Sequence, residues 1–383
     1  MKYDFSTRIR QVNPSATQQI ADKAKELSQR GEDVISLGVG EPDFDTPVEV
    51  KECAKEALDD GFVHYTSTKG IRELREEIVG KLEEENQIDA GIEDVLVTPG
   101  GKFSIFLVCQ AFLDENDEAI LFDPAWVSYD ECVKLAGAEP VWSETNANLK
   151  PDLEDFKDKI NDSTSLVILN SPCNPTGQVY DESTIKAVTE IARENNCLVM
   201  SDEIYEKIIY EKEHYSPGSE YDNVITVNGF SKTFSMTGWR LGYTVAEEEV
   251  IDEMKKIQQH SVSCPTSFAQ KGAVCAYKNK EIESKLEGMV LKYRKRRDTL
   301  LKGLKSLDIE CTKPEGGFYA FPYIGTDSFK VSEELLDKCH IGVTPGKAFG
   351  DGGKGYIRIS YAQSEERIKE AIERIRKTEL EYI

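Results

Sequence analysis

Short apolar runs recur through the middle of the chain, each followed by a longer stretch with helical spacing. The runs are "DVLVTP" (94–99), "EAILFDP" (118–124), "SLVILNSP" (165–172), "CLVMSDE" (197–203), "NVITVNG" (223–229) and "LGYTVA" (241–246). They are short, rich in β-branched residues and apolar on both faces, which predicts buried parallel strands. Between them, "STIKAVTEIARENN" (183–196) places Ile185, Val188 and Ile191 on one helical face. Alternating strands and helices predict an α/β fold: a mostly parallel sheet flanked by helices.

The two ends read differently. Residues 15–30 form an amphipathic helical pattern stopped by Gly31, and 283–307 a long, highly charged one. Shorter strand-like pieces follow, "GGFYAFPYI" (316–324) and "GYIRISYA" (355–362), then a last helix from about Glu365 to Glu379. This predicts a large domain over residues 46–280 and a smaller α/β domain from 1–45 and 281–383, the chain crossing between them near "PDFDTP" (42–47). No repeat or low-complexity tract interrupts the pattern.

Polar residues of chemical interest fall just after the strands, where open parallel sheets bind their ligands. The first run leads into Gly100, Gly101 and Lys102, and the second into Trp126. The third leads into Asn174, the fourth ends on Asp202 with Tyr205 beyond, and the fifth leads into Ser231 and Lys232. Each has a bland reading. The glycines could form only a turn, Asn174 could shape a loop, Asp202 could cap a helix, Trp126 could be core, and Lys232 could be solvated. Their coincidence at five strand ends points instead to one pocket.

The window "NGFSKTFSMTGWRLGY" (228–243) holds Lys232 and Arg240 and no acidic residue, in a chain with 70 acidic and 47 basic residues. A lysine beside another cation has a lowered pKa and attacks aldehydes. A carboxylate beside Lys232 would raise that pKa and compete with a phosphate for Arg240. An Asp can keep a pyridine nitrogen protonated. An aromatic face can stack on that ring, an Asn and a Tyr can bond its hydroxyl, and helix-start amides can take a phosphate. Together these are the parts of a pyridoxal 5′-phosphate site. Arg358, flanked by apolar residues in "YIRISYA", is expected to be buried and to need an anion: an internal salt bridge or a substrate carboxylate.

The chain resembles class I, fold-type I pyridoxal-phosphate aminotransferases, the aspartate and aromatic aminotransferase family. The resemblance runs from "SLGVGEPDFDTP" (36–47) through "NSPCNPTG" (170–177), "SDEIYE" (201–206) and the lysine window to "GYIRISYA". It implies that Lys232 carries the cofactor covalently and shuttles the substrate proton. Asp202 would pair with the ring nitrogen, Tyr205 and Asn174 with the ring oxygen, and Trp126 would stack on the ring. Gly100, Gly101, Lys102, Ser231 and Arg240 would surround the phosphate. Tyr65 would reach that phosphate from the other subunit of a homodimer. Gly40 and Arg358 would contact the substrate, Arg358 through its α-carboxylate. The reaction implied is amino transfer between an L-amino acid and a 2-oxo acid in a ping-pong cycle.

Ser15, Thr17 and Lys102 match the pattern of the prokaryotic aspartate branch, where this lysine meets a distal carboxylate; Ser15 could equally be a helix cap. "NSPCNPTG" and "VTPGKAFG" (343–350) look like the archaeal aromatic branch, and Cys173 departs from the asparagine common in the aspartate branch. Because Lys102 is nearest the question, aspartate with 2-oxoglutarate is the expected pair, with aromatic amino acids or prephenate as the alternative. A C–S lyase or decarboxylase on the same fold would keep Lys232 and Asp202.

Bulk properties narrow the partners. A net charge of −23 argues against nucleic acid or an anionic membrane. No apolar run approaches a membrane span, and the N-terminus has no apolar signal core. Nine scattered cysteines predict reduced, buried thiols in a cytoplasmic protein. "GDGGKG" (350–355) precedes a strand where a nicotinamide fingerprint should follow one. No metalloprotease or serine-hydrolase motif occurs, no metal site is expected, and no segment is left for a regulatory DNA-binding domain.

Overall fold

The structure is a computed structural model. It describes residues 3–14 and 16–381, without the side chains of residues 16–19 and 21. Ser15 lies outside the described residues, and so does the side chain of Thr17.

Seven strands form the main sheet: β1 Val95–Thr98, β2 Glu118–Asp123, β3 Glu139–Glu144, β4 Thr164–Asn170, β5 Leu198–Asp202, β6 Val224–Gly229 and β7 Gly242–Val245. Their spatial order is β1-β7-β6-β5-β4-β2-β3. Only β7 runs against its neighbours. All six apolar runs therefore became strands of one sheet. The seventh, β3, was not predicted. Its sequence "EPVWSE" carries a proline and two glutamates and looks unlike a buried strand. It pairs only with β2, and an edge strand tolerates a residue that cannot donate to a second neighbour.

The period of two along the strands divides the packing between the faces of the sheet. Ile120, Val167 and Val199 enter one apolar cluster, with Ile185 and Val188 of the helix Glu182–Glu194. Leu121, Ile168 and Met200, each next in sequence, enter another with Leu107, Val108 and Tyr129. A third cluster surrounds Val95, Val97 and Tyr243. These strands are buried on both sides, which explains their nearly continuous apolar character.

A fourth cluster joins distant parts of the chain. Ile35 and Leu37 pack with Leu300, Leu304, Leu335, Ile341, Ile359 and Ile368. Ile35–Ser36 pairs in parallel with Ile341–Gly342. The strand Ile357–Ser360 lies between Tyr319–Ala320 and Thr344–Pro345, antiparallel to both. The predicted terminal helices are present as Ala16–Gln29, Lys280–Lys305 and Glu365–Lys377. Tyr205 and Ile208 belong to this same cluster, so the loop after β5 is held against the C-terminal strands.

One expectation fails. Cys53 and Cys275 form a disulfide between the helices Val48–Asp59 and Ser267–Lys278. The pair is separated by 222 residues, so no local spacing announced it. The other seven cysteines are free, and five of them are buried. Among the described residues no helix is long and apolar enough to cross a membrane.

Candidate active site

Because β7 alone is reversed, the carboxyl ends of β1, β2, β4, β5 and β6 share one edge of the sheet. A cavity of about 380 Å³ opens there. It is lined by Gly40, Gly101, Lys102, Trp126, Asn174, Asp202, Tyr205, Ser231, Lys232, Arg240 and Arg358. Residues read separately from five strand ends and from the C-terminal strand thus meet in one place. Gly100 sits just behind the lining and has a positive φ of 89°. A Cβ there would lie 2.6 Å from an Arg240 guanidinium nitrogen, so only glycine lets the arginine settle against the start of the helix Gly101–Phe112. At Gly40 a Cβ would meet the Tyr319 hydroxyl at 2.3 Å.

Tyr65 is not brought into this cavity. It is 89% exposed and stands apart from the lining.

Asp202 ends β5 and is buried. The Tyr129 hydroxyl donates to its Oδ2 at 2.7 Å, and the Ile204 amide to its Oδ1 at 3.1 Å. Burial raises its carboxyl to a pKa of about 6, against these two donors. Tyr129 was not singled out in the sequence. Its signal was its position three residues after Trp126 on a helix face, and the two rings meet edge-on at 5.4 Å.

Lys232 is half-buried, and its Nζ donates to the Gly40 carbonyl at 2.6 Å. Burial lowers its pKa to about 8; Glu41 opposes this, Arg358 and Arg240 add to it, and Asp202 opposes. The acid-free window is therefore incomplete as a description. Glu41, from a distant loop, lines the cavity and accepts a hydrogen bond from the Thr237 hydroxyl. The reading that a missing carboxylate keeps the Lys232 pKa low therefore holds for the window alone; Glu41, distant in sequence, shares the cavity and opposes that lowering.

Arg358 lies on the strand Ile357–Ser360 and is 3% exposed. Its Nη1 donates to the Asn174 side-chain oxygen at 2.9 Å, and its Nη2 to the Gly38 carbonyl at 2.7 Å. The guanidinium lies 4.5 Å from the Tyr319 ring centre and 4.9 Å from that of Phe349. Its Nε is buried without a partner, and among the described residues it has no ion pair. The internal salt bridge, one of its two readings, is absent there. Tyr319, also unnoticed in the sequence, bonds the Tyr205 hydroxyl at 2.8 Å.

Two further cations lack a carboxylate partner among the described residues. Arg240 has a positive φ of 54° and donates from Nη1 to the Thr237 carbonyl at 2.8 Å. Lys102 places its ammonium 4.8 Å from the Trp126 ring centre. Burial lowers its pKa. The lining thus holds four cations, Lys102, Lys232, Arg240 and Arg358, against two carboxylates, Glu41 and Asp202. Such an excess in a partly desolvated cleft favours an anionic ligand.

Behind Asp202 lies a second polar cluster. Lys81 bonds Glu206, and Asn86 donates to Glu206 at 2.8 Å. His214 and Ser216 bond Glu203. Glu203, Glu206 and His214 bring three potential ligand atoms together, but the Lys81 ammonium already balances Glu206. The geometry supports a buried charge network rather than a metal centre.

Comparison with known proteins agrees with this geometry. The aminotransferase class I and II family is matched over residues 32–375. An aspartate aminotransferase of Pyrococcus horikoshii is 42% identical, over 98% of this chain and 97% of that protein. An aspartate/prephenate aminotransferase of Thermus thermophilus is 41% identical, over 97% of both. The solved structure of the Thermus thermophilus aspartate aminotransferase with maleate superposes with a TM-score of 0.95, at 40% identity, covering 98% of this chain and 99% of that one. Sequence, fold and site thus give one answer: this chain belongs to the class I and II aminotransferases.

Proposed function

We propose that this aminotransferase carries pyridoxal 5′-phosphate on Lys232 and moves an amino group between aspartate and 2-oxoglutarate. The residues fit that cofactor. Arg240 and the opening amides of the helix Gly101–Phe112 suit a phosphate, with Ser231 beside them. Trp126 offers a ring face, Asn174 and Tyr205 offer groups for a ring oxygen, and Asp202 offers a buried carboxylate for a ring nitrogen.

When bound, the cofactor supplies an aldehyde for the amino group and a ring that withdraws electrons from the substrate Cα. Asp202 holds the ring-nitrogen proton, fixed by Tyr129 and Ile204. Arg358 grips the α-carboxylate, its orientation set by Asn174 and Gly38. Lys232 takes the Cα proton as a neutral amine and returns it on the other side of the exchange. With its pKa near 8, it populates both states close to neutral pH.

The observation that carries the substrate reading is Lys102, a cation without an acidic partner among the described residues, poised over Trp126. A second carboxylate on the substrate would supply that partner. The relatives named for aspartate, and the related structure with the dicarboxylate maleate, support the same choice. Ser15 and Thr17 are further proposed contacts. The aromatic faces of Trp126 and Tyr319 in the lining favour a second reading, aromatic amino acids or prephenate; a C–S lyase ranks below both. An amino-donor panel with 2-oxoglutarate tests this. Transfer from aromatic donors but none from aspartate would overturn the first reading, and an active Lys232→Ala variant would overturn the whole scheme.

The homodimer also belongs to this proposal. Tyr65 is exposed near Val63 in sequence, itself 55% exposed, and both suit a partner's surface. A monomer by light scattering would refute it. We take residues 46–280 as the cofactor-holding unit, with 1–45 and 281–383 as the second. Ile35 and Leu37 sharing a core with Leu300 and Ile359 supports that division, and limited proteolysis that cuts elsewhere would count against it. A cytoplasmic setting belongs to the same reading: seven cysteines are free, five of them buried, while the Cys53–Cys275 disulfide counts against it; cell fractionation would test it.

A further inference from the structure

One short loop bonds two of the four cations in the cavity, Arg358 and Lys232. The Gly38 carbonyl accepts from Arg358 at 2.7 Å, and the Gly40 carbonyl from Lys232 at 2.6 Å. Glu41, next in sequence, accepts from the Thr237 hydroxyl, 196 residues further along. Thr237 in turn holds Arg240 through its carbonyl at 2.8 Å. Glu41 is thereby fixed to the turn that separates Lys232 from Arg240.

The charges around the Lys232 amine come from several elements. Arg358, from the C-terminal strand, and Arg240, from its own loop, oppose a proton there, while Glu41 and Asp202 favour one. Lys102 lines the same cavity. The Tyr205 and Phe318 ring centres lie 6.0 and 5.8 Å from Nζ, and Tyr319 is bonded to Tyr205. Glu41 and Asp202 are the only carboxylates among the described lining residues, and both oxygens of Asp202 already accept hydrogen bonds.

We propose that Glu41 is a positioning residue of this reaction: tethered to Thr237, its carboxylate balances the cations around the Lys232 amine and fixes the turn that carries Arg240. The proposal rests on the cofactor reading above. A lysine that must take a proton and give it back needs both forms accessible. Burial, with Arg358 and Arg240, biases it toward the neutral form, and Glu41 offsets part of that bias. Its electrostatic effect on Lys232 is the largest of the four charges, which supports the geometric case.

The test is a pH titration of the bound cofactor's visible absorbance in the full-length holoenzyme, comparing wild type with Glu41→Gln, Glu41→Asp and Thr237→Val. Glu41→Gln should move the midpoint down by about one pH unit, and the acid limb of the kcat profile should move with it. Glu41→Asp should recover most of the shift, and Thr237→Val should give part of it. An unchanged midpoint in Glu41→Gln overturns the proposal, as does a loss of thermal stability with no change in midpoint. If no variant, nor the wild type, takes up cofactor, the cofactor reading is what has failed. Lys232 is then read in the cofactor-free chain by isotope-labelled reductive methylation and an NMR titration, its signal identified by its loss in Lys232→Ala. A lowered midpoint in Glu41→Gln supports the role of Glu41 there, and an unchanged one overturns it.

Discussion

Arg358 donates to the Asn174 side chain at 2.9 Å, across 184 residues of chain. The bond joins the C-terminal strand to the loop after β4 and orients a buried guanidinium whose Nε has no partner. Arg358→Lys keeps the charge but loses the planar fork. The loss of one charge-assisted hydrogen bond is worth about 2–3 kcal/mol, so kcat/KM for the amino donor should fall roughly a hundredfold. Steady-state kinetics checks this, and an unchanged kcat/KM would remove the carboxylate clamp from the mechanism.

Lys102 should separate substrates. If its ammonium meets a distal carboxylate, Lys102→Ala should cost aspartate about 1.5–3 kcal/mol, at least tenfold in kcat/KM. Phenylalanine, with no distal charge, should lose less. Equal losses for the two donors would leave the preference for a dicarboxylate without support.

Asp202 makes a pH prediction for the cofactor-free chain. Burial raises its pKa from the ordinary 3.8 to about 6. A pKa higher in the folded state means that the folded chain binds the extra proton. Its contribution is therefore fully present below about pH 4 and is lost as pH rises through about 6. Asp202→Asn should stabilise the cofactor-free chain at about pH 7 by up to about 3 kcal/mol, with little effect near pH 4. Amino transfer should meanwhile be lost. Denaturant unfolding at both pH values tests the sign, and destabilisation at neutral pH would contradict it.

The disulfide makes a countable prediction. Of nine cysteines, seven should react with a thiol reagent in the denatured, unreduced chain, and all nine after reduction. Because Cys53 and Cys275 close a loop of 222 residues, Cys53→Ser should lower stability by about 2–4 kcal/mol. Nine reactive thiols without reductant would show the pair to be open.

The sequence by itself determined much of the frame. Six sheet strands were legible because burial on both faces leaves continuous apolar runs, a local signature. The terminal helices were legible from their spacing and from Gly31. Lys232, Asp202, Asn174 and Trp126 could be read together because each follows a strand, and parallel strands bring their carboxyl ends to one edge. The tertiary structure decided the rest. The edge strand β3 is specified by its partner β2 more than by its own residues. The Cys53–Cys275 pair, the Tyr129–Asp202 bond and the Glu41–Thr237 bond that holds Glu41 in the Lys232 cavity join residues 73 to 222 positions apart. A periodic pattern reports which way a side chain faces within its own element. It carries no record of what the fold sets opposite, and the charge balance around Lys232 depends on that.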